Sequence, residues 1–170
     1  MARNVLEIRP AKGTFVCENL GQIDDPIGLN FSSNKMEILQ DMYELRMLLE
    51  CYAVRRAAVI LTEEDLRHLT DLADEIQSSM HNHERCAECD LAFHRYIAEH
   101  CGNIAMPLIL PLIHRNIVDY NRLEFKRHWT ESNRGHYAII EALRKHDPVL
   151  AEREMTAHLM YGEQIIKAMK

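Results

Sequence analysis

Four residues with metal-binding side chains lie on three segments of this sequence that are predicted to be helical: Asp90, His94, His136 and His158. Asp90 and His94 are four residues apart, so both side chains project from one face of a helix. His136 lies one turn before Ile140, and His158 is the one imidazole in an apolar helical seam. Three imidazoles and one carboxylate suit a divalent ion, with zinc as the leading candidate and nickel, cobalt, iron or manganese as alternatives. Taken singly, each side chain could instead be a buried polar residue with an internal partner.

A second group of metal-type residues, His81, His83, Cys86 and Cys89, contains a single Cys-x-x-Cys. One such pair gives weak support for a metal site, and the two histidines fall on a predicted connection between helices. We therefore expect a polar turn followed by a helix here. The histidines without a clear partner in the sequence are His68, His100, His114 and His128. Of these, His114 could reach a central cavity from the fourth predicted helix, but it is not assigned to the site.

The segments that must position these residues are amphipathic helices. Apolar residues recur at helical spacing after residue 34, where proline and glycine are confined to a few positions. Thr62, followed by three acidic residues, predicts a helix start, and Asp147-Pro148 predicts another. The predicted helices cover approximately residues 35–61, 62–81, 84–101, 104–123, 130–145 and 148 to near the end. Their short connections imply an all-α antiparallel bundle of six or seven helices.

The first 34 residues have a different character. Residues 5–16 form two short β-type runs around a Pro-Ala-Lys-Gly turn, which predicts a small hairpin. An isolated hairpin is marginally stable in water, so we expect the chain to begin inside a larger domain. Residues 18–34 are rich in Gly, Pro, Asp, Asn and Ser, which predicts a linker to a helical domain at 35–170.

The charge distribution argues against nucleic-acid binding by the helical part. The chain of 170 residues has a net charge of −6, of which residues 1–16 contribute +2 and the remainder −8. An acidic surface is the wrong sign for phosphate contacts. No apolar run is long enough to span a membrane, and the five cysteines of a chain this large predict reduced thiols. We therefore expect a cytoplasmic protein without a membrane partner.

An ordered series of motifs resembles the FCD domain, the C-terminal effector domain of the FadR branch of GntR-family transcription regulators. Residues 90–97, followed by Gly102-Asn103, are similar to its D-x-x-F-H-x-x-[IL]…GN motif. Residues 136–143 are similar to its H-x-x-I-x-x-A-[IL] motif, and residues 151–159 to its A-x-x-x-M-x-x-H-[LI] ending. The opening helix, which contains Tyr43-Glu44-Leu45-Arg46, is also similar. The resemblance covers about residues 36–165 and implies the same helical fold.

The N-terminal hairpin resembles the wing of the winged-helix DNA-binding domain in the same family. It keeps Arg9, Gly13 and Thr14-Phe15-Val16 of a V-x-R-x-G-x-G-T-F-V pattern, with Ala11 where that pattern often has Gly. The resemblance implies that residues 1–17 are the remnant of a DNA-reading domain. We therefore expect operator binding only in the intact protein, and no operator-specific band shift by this chain alone.

The resemblance also implies roles for individual residues. In the family, the aspartate and three histidines that match Asp90, His94, His136 and His158 bind a divalent ion at the floor of a cavity. A small carboxylic acid then reaches the ion, and Arg46 is the candidate whose guanidinium group donates two hydrogen bonds to its carboxylate. Arg46 could equally form an internal salt bridge with Glu50, one turn further on. Further candidates for lining the effector site are Tyr43 and Asn133, and each could instead be ordinary packing or helix surface.

The implied protein is the ligand-sensing part of a bacterial regulator that works as a homodimer, in which metal and acid together alter DNA binding. Two other classes of protein stay open at this point. A metal-dependent all-α enzyme acting on a small acid or ester would need a general base, and no Glu-x-x-His or His-Glu-x-x-His pairing supplies one. A purely structural interaction bundle would pair its buried polar groups with one another.

Overall fold

The computed structural model describes residues 6–10, 12–16, 35–114 and 128–168. The chain divides into two compact units, Met1–Ser33 and Asn34–Lys170. In the first unit, strands β1 (Leu6–Arg9) and β2 (Gly13–Val16) pair antiparallel, with Leu6 opposite Val16 and Arg9 opposite Gly13. Gly13 has a φ of +109° at the end of the turn, a conformation that favours glycine. The predicted hairpin is thus present, whereas the predicted linker lies outside the described residues.

The second unit is an all-α bundle, as predicted. Its described helices are α1 (Lys35–Ala57), α2 (Glu63–Ser78), α3 (His83–Glu99), α4 (residues 106–114), α5 (Trp129–Arg144) and α6 (Pro148–Ala168). Helix α1 packs against α3 and α6, α2 packs against α3 and α5, and α5 packs against α6. The first helix ends at Ala57, before the predicted Leu61, because residues 58–60 form a turn. No helix in the described part of the chain is long and apolar enough to cross a membrane.

Two predicted helix starts have the side-chain contacts that cap a helix. The Thr62 hydroxyl accepts a hydrogen bond from the Asp65 amide, and the Asp65 carboxylate accepts one from the Thr62 amide at 2.7 Å. Before α6, the Asp147 carboxylate accepts from the amides of Val149 and Leu150, both at 3.0 Å. These bonds satisfy backbone donors that have no partner inside the helix.

Removing the first of these caps has a measurable cost. We expect Thr62→Ala to lower the free energy of unfolding by about 1 kcal/mol, because it leaves the Asp65 amide without its side-chain acceptor. Urea unfolding of the variant checks this value. Ser78→Ala, at the other end of α2, is the control and should change stability by less than ~0.5 kcal/mol. An unchanged Thr62→Ala midpoint would contradict the role given to the cap.

The core is formed by the apolar faces of all these helices. Its largest fully buried side chains include Leu66, Leu69 and Ile76 on α2, Phe93 and Ile97 on α3, and Ile139, Ile140 and Leu143 on α5. Several polar side chains are buried beside this core: Arg46, Glu50, His94, His114, Ser132, Asn133, His136 and His158. Burial of so many polar groups requires partners for them, and their contacts define the site.

Candidate metal centre

The four predicted metal ligands come together at the centre of the bundle. Asp90, His94, His136 and His158, called the donor cluster below, each offer one ligand atom, and these atoms lie within 4.8 Å of one another. Nε2 of His136 lies 3.2 Å from Oδ1 of Asp90, and Nε2 of His94 lies 3.1 Å from Nε2 of His158. Helix α3 supplies Asp90 and His94, whereas α5 and α6 supply one histidine each.

The chemistry of the donor cluster fits a divalent ion. Ligand atoms at 2.0–2.2 Å from one ion are roughly 3–4 Å apart. The Nε2 atoms of His94 and His158, and the His136 Nε2–Asp90 Oδ1 pair, are at such distances, and all four donor atoms lie within 4.8 Å of one another. Nε2 of His136, which faces Asp90, is buried and has no hydrogen-bond partner. Nε2 of His94 and Nε2 of His158 share a hydrogen bond in the metal-free chain, and both nitrogens and the Asp90 carboxylate can instead donate a lone pair to a cation. These four residues would hold an ion that prefers tetrahedral or octahedral coordination.

Asn133 contacts the His136 ring on the side opposite the donor cluster. Its Oδ1 lies 3.1 Å from Nδ1 of His136, and its Nδ2 donates to the Ala73 carbonyl on α2 at 2.9 Å. Because the amide oxygen only accepts, Nδ1 of His136 carries the proton and Nε2 presents its lone pair to the donor cluster. Asn133 is fully buried. The structure therefore gives Asn133 contacts that orient a residue of the donor cluster, rather than a place on the pocket wall.

The sequence did not reveal the central role of Glu50. Its Oε1 lies 2.5 Å from Nε of Arg46 and 2.7 Å from Nε2 of His114, and its Oε2 lies 2.5 Å from Nδ1 of His94. The Arg46–Glu50 salt bridge was one of the two predicted alternatives. Contacts between Glu50 and the two histidines, which belong to α3 and α4, depend on how the helices pack.

Burial and neighbouring charges set the protonation states of the centre. Burial opposes ionisation of Glu50, but Arg46, His94 and His114 outweigh it and hold its pKa well below the usual value. Burial likewise opposes ionisation of Asp90, yet the close contact with His136 and the neighbouring imidazoles of His94 and His158 outweigh it and lower its pKa. Burial lowers the pKa of His136 and of His158. Ionised carboxylates and neutral imidazoles are the forms that a metal ion requires.

These shifts predict a loss of stability in mild acid for the metal-free chain. The pKa values of His136 and His158 are lowered from 6.5, so below pH 6.5 the unfolded chain binds more protons than the folded one. Stability should therefore fall as the pH drops from 6.5 towards 5, a window above that in which the carboxylates are protonated. Denaturant unfolding in the presence of a chelator at several pH values measures this. The slope should shrink in His158→Gln, and a slope of opposite sign would contradict the assignment.

A small pocket adjoins the donor cluster. It is lined by Tyr43, Arg46, Asp90, Trp129, Ser132, His158, Leu159 and Gly162. Two of the three predicted effector-binding residues, Tyr43 and Arg46, line this pocket, whereas Asn133 does not. Its neighbour Ser132 takes that place, and Trp129 was not anticipated. Arg46 both lines the pocket and pairs with Glu50, so the two roles considered for it are compatible.

Two glycines allow α6 to come close to its neighbours at this site. A Cβ on Gly135 would lie 2.6 Å from Nδ1 and 3.1 Å from Cβ of His158, and a Cβ on Gly162 would lie 2.9 Å from the Tyr43 hydroxyl. Because the first set of clashes includes the base of the His158 side chain, rotation of the ring cannot relieve it. Gly135 is therefore needed to place His158 of the donor cluster, and Gly162 to place Tyr43 of the pocket.

A substitution at Gly135 tests this placement. Alanine inside a helix normally adds roughly 0.5–1 kcal/mol of stability relative to glycine. We expect Gly135→Ala instead to weaken zinc binding by roughly tenfold or more, because His158 must move. Gly162→Ala is the matched control and should displace Tyr43 while keeping zinc affinity. Equal zinc affinity in Gly135→Ala and the unmodified chain would contradict the role of this close approach.

In the second group of metal-type residues found in the sequence, Cys86 and Cys89 have the contacts expected of ordinary packing. The Cys86 thiol donates to the carbonyls of Ser79 and Ile76, at 3.2 and 3.6 Å. Burial raises its pKa to about 11, which disfavours the thiolate that a metal needs. Cys89 is buried in the same apolar cluster. Across residues 35–114 and 128–168, the donor cluster is the one group of three or more His, Cys, Asp or Glu side chains whose ligand atoms are close enough to hold one metal ion.

Comparison with known proteins agrees with this fold. Residues 41–160 match the family model of the FCD domain. The HTH-type transcriptional repressor NanR of Cronobacter sakazakii is 31% identical over 159 residues, which cover 89% of this chain and 57% of NanR. The solved structure of Streptococcus agalactiae GntR has a TM-score of 0.76 and 31% identity, and the match covers 95% of this chain and 75% of that one.

A third similarity concerns the fold alone. The metal-free FCD domain of the transcriptional regulator TM0439 has a TM-score of 0.64 at 21% identity, over 79% of this chain and 95% of that one. The chain described here spans 57% of the length of NanR, so it corresponds to part of that repressor.

These matches show that the chain belongs to the FCD-domain family of GntR-type transcription regulators. It is a ligand-sensing regulatory domain, as the sequence predicted.

Proposed function

We propose that this domain senses a small carboxylic acid through a divalent ion held by Asp90, His94, His136 and His158. The observation that supports this most strongly is that the pocket and the donor cluster share Asp90 and His158. A ligand in the pocket would therefore lie directly beside the ion. Zinc is the leading candidate, and nickel, cobalt, iron and manganese suit the same donor types.

A bound ion would supply positive charge and open coordination positions for an anionic oxygen. Arg46 offers a second cationic group on the same pocket wall. Its Nε donates to Glu50. Burial lowers the guanidinium pKa, but the negative charge of Glu50 outweighs burial and raises it, so the group stays charged. Tyr43 and Ser132 add hydroxyl groups, and Trp129 adds an apolar ring. This combination suits a compact acid with further polar groups.

We propose that residues 1–17 are the wing of a winged-helix domain and that residues 18–34 connect this wing to the sensor domain at residues 35–170. We also propose that the intact regulator is cytoplasmic and that two copies bind an operator as a homodimer. Acid binding would change DNA affinity only by the difference in its affinity for the two arrangements of the dimer. Assignment to the FadR branch remains a prediction from the motif resemblance.

Calorimetric titration of small carboxylic acids into the zinc-loaded chain and into the chelator-treated chain tests the sensing function. We expect at least one acid to bind the loaded chain and to lose most of its affinity in Arg46→Lys, which keeps a charge but loses the fork. Arg55→Lys is the matched control, because Arg55 pairs with Glu152 at the exposed surface. Equal acid affinity with and without metal would contradict the proposal.

A further inference from the structure

The carboxylate of Glu50 joins three helices at a point outside the donor cluster. Glu50 is 1% exposed, and its two oxygens face Arg46 on its own helix, His94 on α3 and His114 on α4. An ionised carboxylate can only accept hydrogen bonds. Nδ1 of His94 lies 2.5 Å from Oε2 of Glu50, and both buried atoms lack a hydrogen-bond partner in the structure. Two lone pairs would repel at this distance, so the contact is favourable only if Nδ1 carries a proton.

This requirement fixes the other nitrogen of His94. A neutral imidazole carries one N–H, so a proton on Nδ1 leaves a lone pair on Nε2. Nε2 is the atom that faces the donor cluster, 3.1 Å from Nε2 of His158 and 4.0 Å from Oδ1 of Asp90. The opposite tautomer would direct an N–H into the position of a cation and a lone pair at a carboxylate.

We propose that Glu50 is a positioning residue that holds His94 in the tautomer with Nδ1 protonated and Nε2 available to the metal. This inference rests on the proposed function of the donor cluster. A carboxylate that accepts from the second nitrogen of a metal-binding histidine orients the ring and increases its basicity. Glu50 accepts from Arg46 as well, so the same side chain orients one metal ligand and one residue of the pocket wall.

If Glu50 only formed an ion pair with Arg46, its role would be purely structural and would not involve the proton on His94. Glu50→Gln separates the two, because glutamine has almost the same shape but offers one acceptor oxygen and one NH₂ group. If the amide oxygen stays with Arg46 and His114 at the position of Oε1, the NH₂ group takes the position of Oε2 and donates to Nδ1 of His94. The ring would then carry its proton on Nε2, where the metal must bind.

The experiment combines ¹⁵N NMR of the histidine rings with zinc competition against a chromophoric chelator. The full chain is studied metal-free at pH 8, and the His94 signals are assigned by their loss in His94→Gln. We expect the Nδ1–H tautomer in the unmodified chain, the Nε2–H tautomer in Glu50→Gln, and zinc affinity lowered roughly 10–100-fold in that variant. Glu99→Gln is the matched control, because Glu99 pairs with Arg95 on the outer side of α3.

Each outcome decides the inference. A proton on Nε2 of His94 in the unmodified chain would overturn it, and this measurement does not depend on whether Glu50→Gln folds. A folded Glu50→Gln variant with unchanged zinc affinity would also overturn it. Failure of the unmodified chain to take up any zinc would count against the proposed metal centre itself, while the tautomer would still decide whether Glu50 sets the proton on His94.

Discussion

We expect Glu50→Ala to lower the free energy of unfolding by about 3–5 kcal/mol, the usual cost of removing one partner from a buried ion pair. The carboxylate is buried with Arg46, His94 and His114 around it, and its removal leaves the guanidinium without a counter-charge at 5% exposure. For a domain of this size the midpoint of thermal unfolding should drop by roughly 6–20 °C. Thermal and urea unfolding of the metal-free chain measure the effect.

The matched control is another glutamate that pairs with an arginine, but at the surface. Glu152 contacts Arg55 at 2.9 Å, and both side chains are at least 40% exposed. We expect Glu152→Ala to cost less than ~1 kcal/mol, because water screens the pair. Similar losses in Glu50→Ala and Glu152→Ala would show that the buried network contributes no more than an ordinary surface contact.

We expect zinc to stabilise the folded chain, because the donor cluster exists only when α3, α5 and α6 are packed together. At a free zinc concentration 100 times the dissociation constant, the free energy of unfolding should rise by about 2.7 kcal/mol. Excess chelator should remove this gain. Urea unfolding with buffered zinc tests both statements.

The stabilisation by zinc should depend on the buried histidines and not on imidazoles in general. His136→Ala should abolish most of it, since Nε2 of His136 lies in the donor cluster beside Asp90. His68→Ala is the control, because His68 is exposed and its ring lies against Tyr96. A zinc effect that survives in His136→Ala but is lost in His68→Ala would place the ion elsewhere.

Helical periodicity in the sequence was sufficient to predict which residues of the site face the core. Asp90 and His94 share a face because they are four residues apart, and His136 and His158 were found because each lies among apolar residues that must face the core. Together with capping signals at Thr62 and Asp147, this periodicity was enough to predict an all-α bundle. The hairpin followed from turn residues and β-type runs.

The contacts between distant helices could not be predicted in the same way. Glu50 and His114 are 64 residues apart, and only the packing of α4 on α1 brings them together. His114 therefore had no visible partner in the sequence. Asn133 and Ser132 differ by one position, or about 100° around a helix, which decides whether a side chain faces His136 or the pocket. Periodicity locates a face of a helix, but it does not resolve neighbours at its edge.

The most direct test of the metal centre is elemental analysis of the untagged chain by plasma mass spectrometry, purified without added metal. The proposed centre predicts about one divalent ion per chain, lost when His136 and His158 are both replaced by alanine. A chain that contains no divalent ion, and takes up neither zinc nor nickel when they are added, would contradict the metal centre on which the proposed sensing function depends.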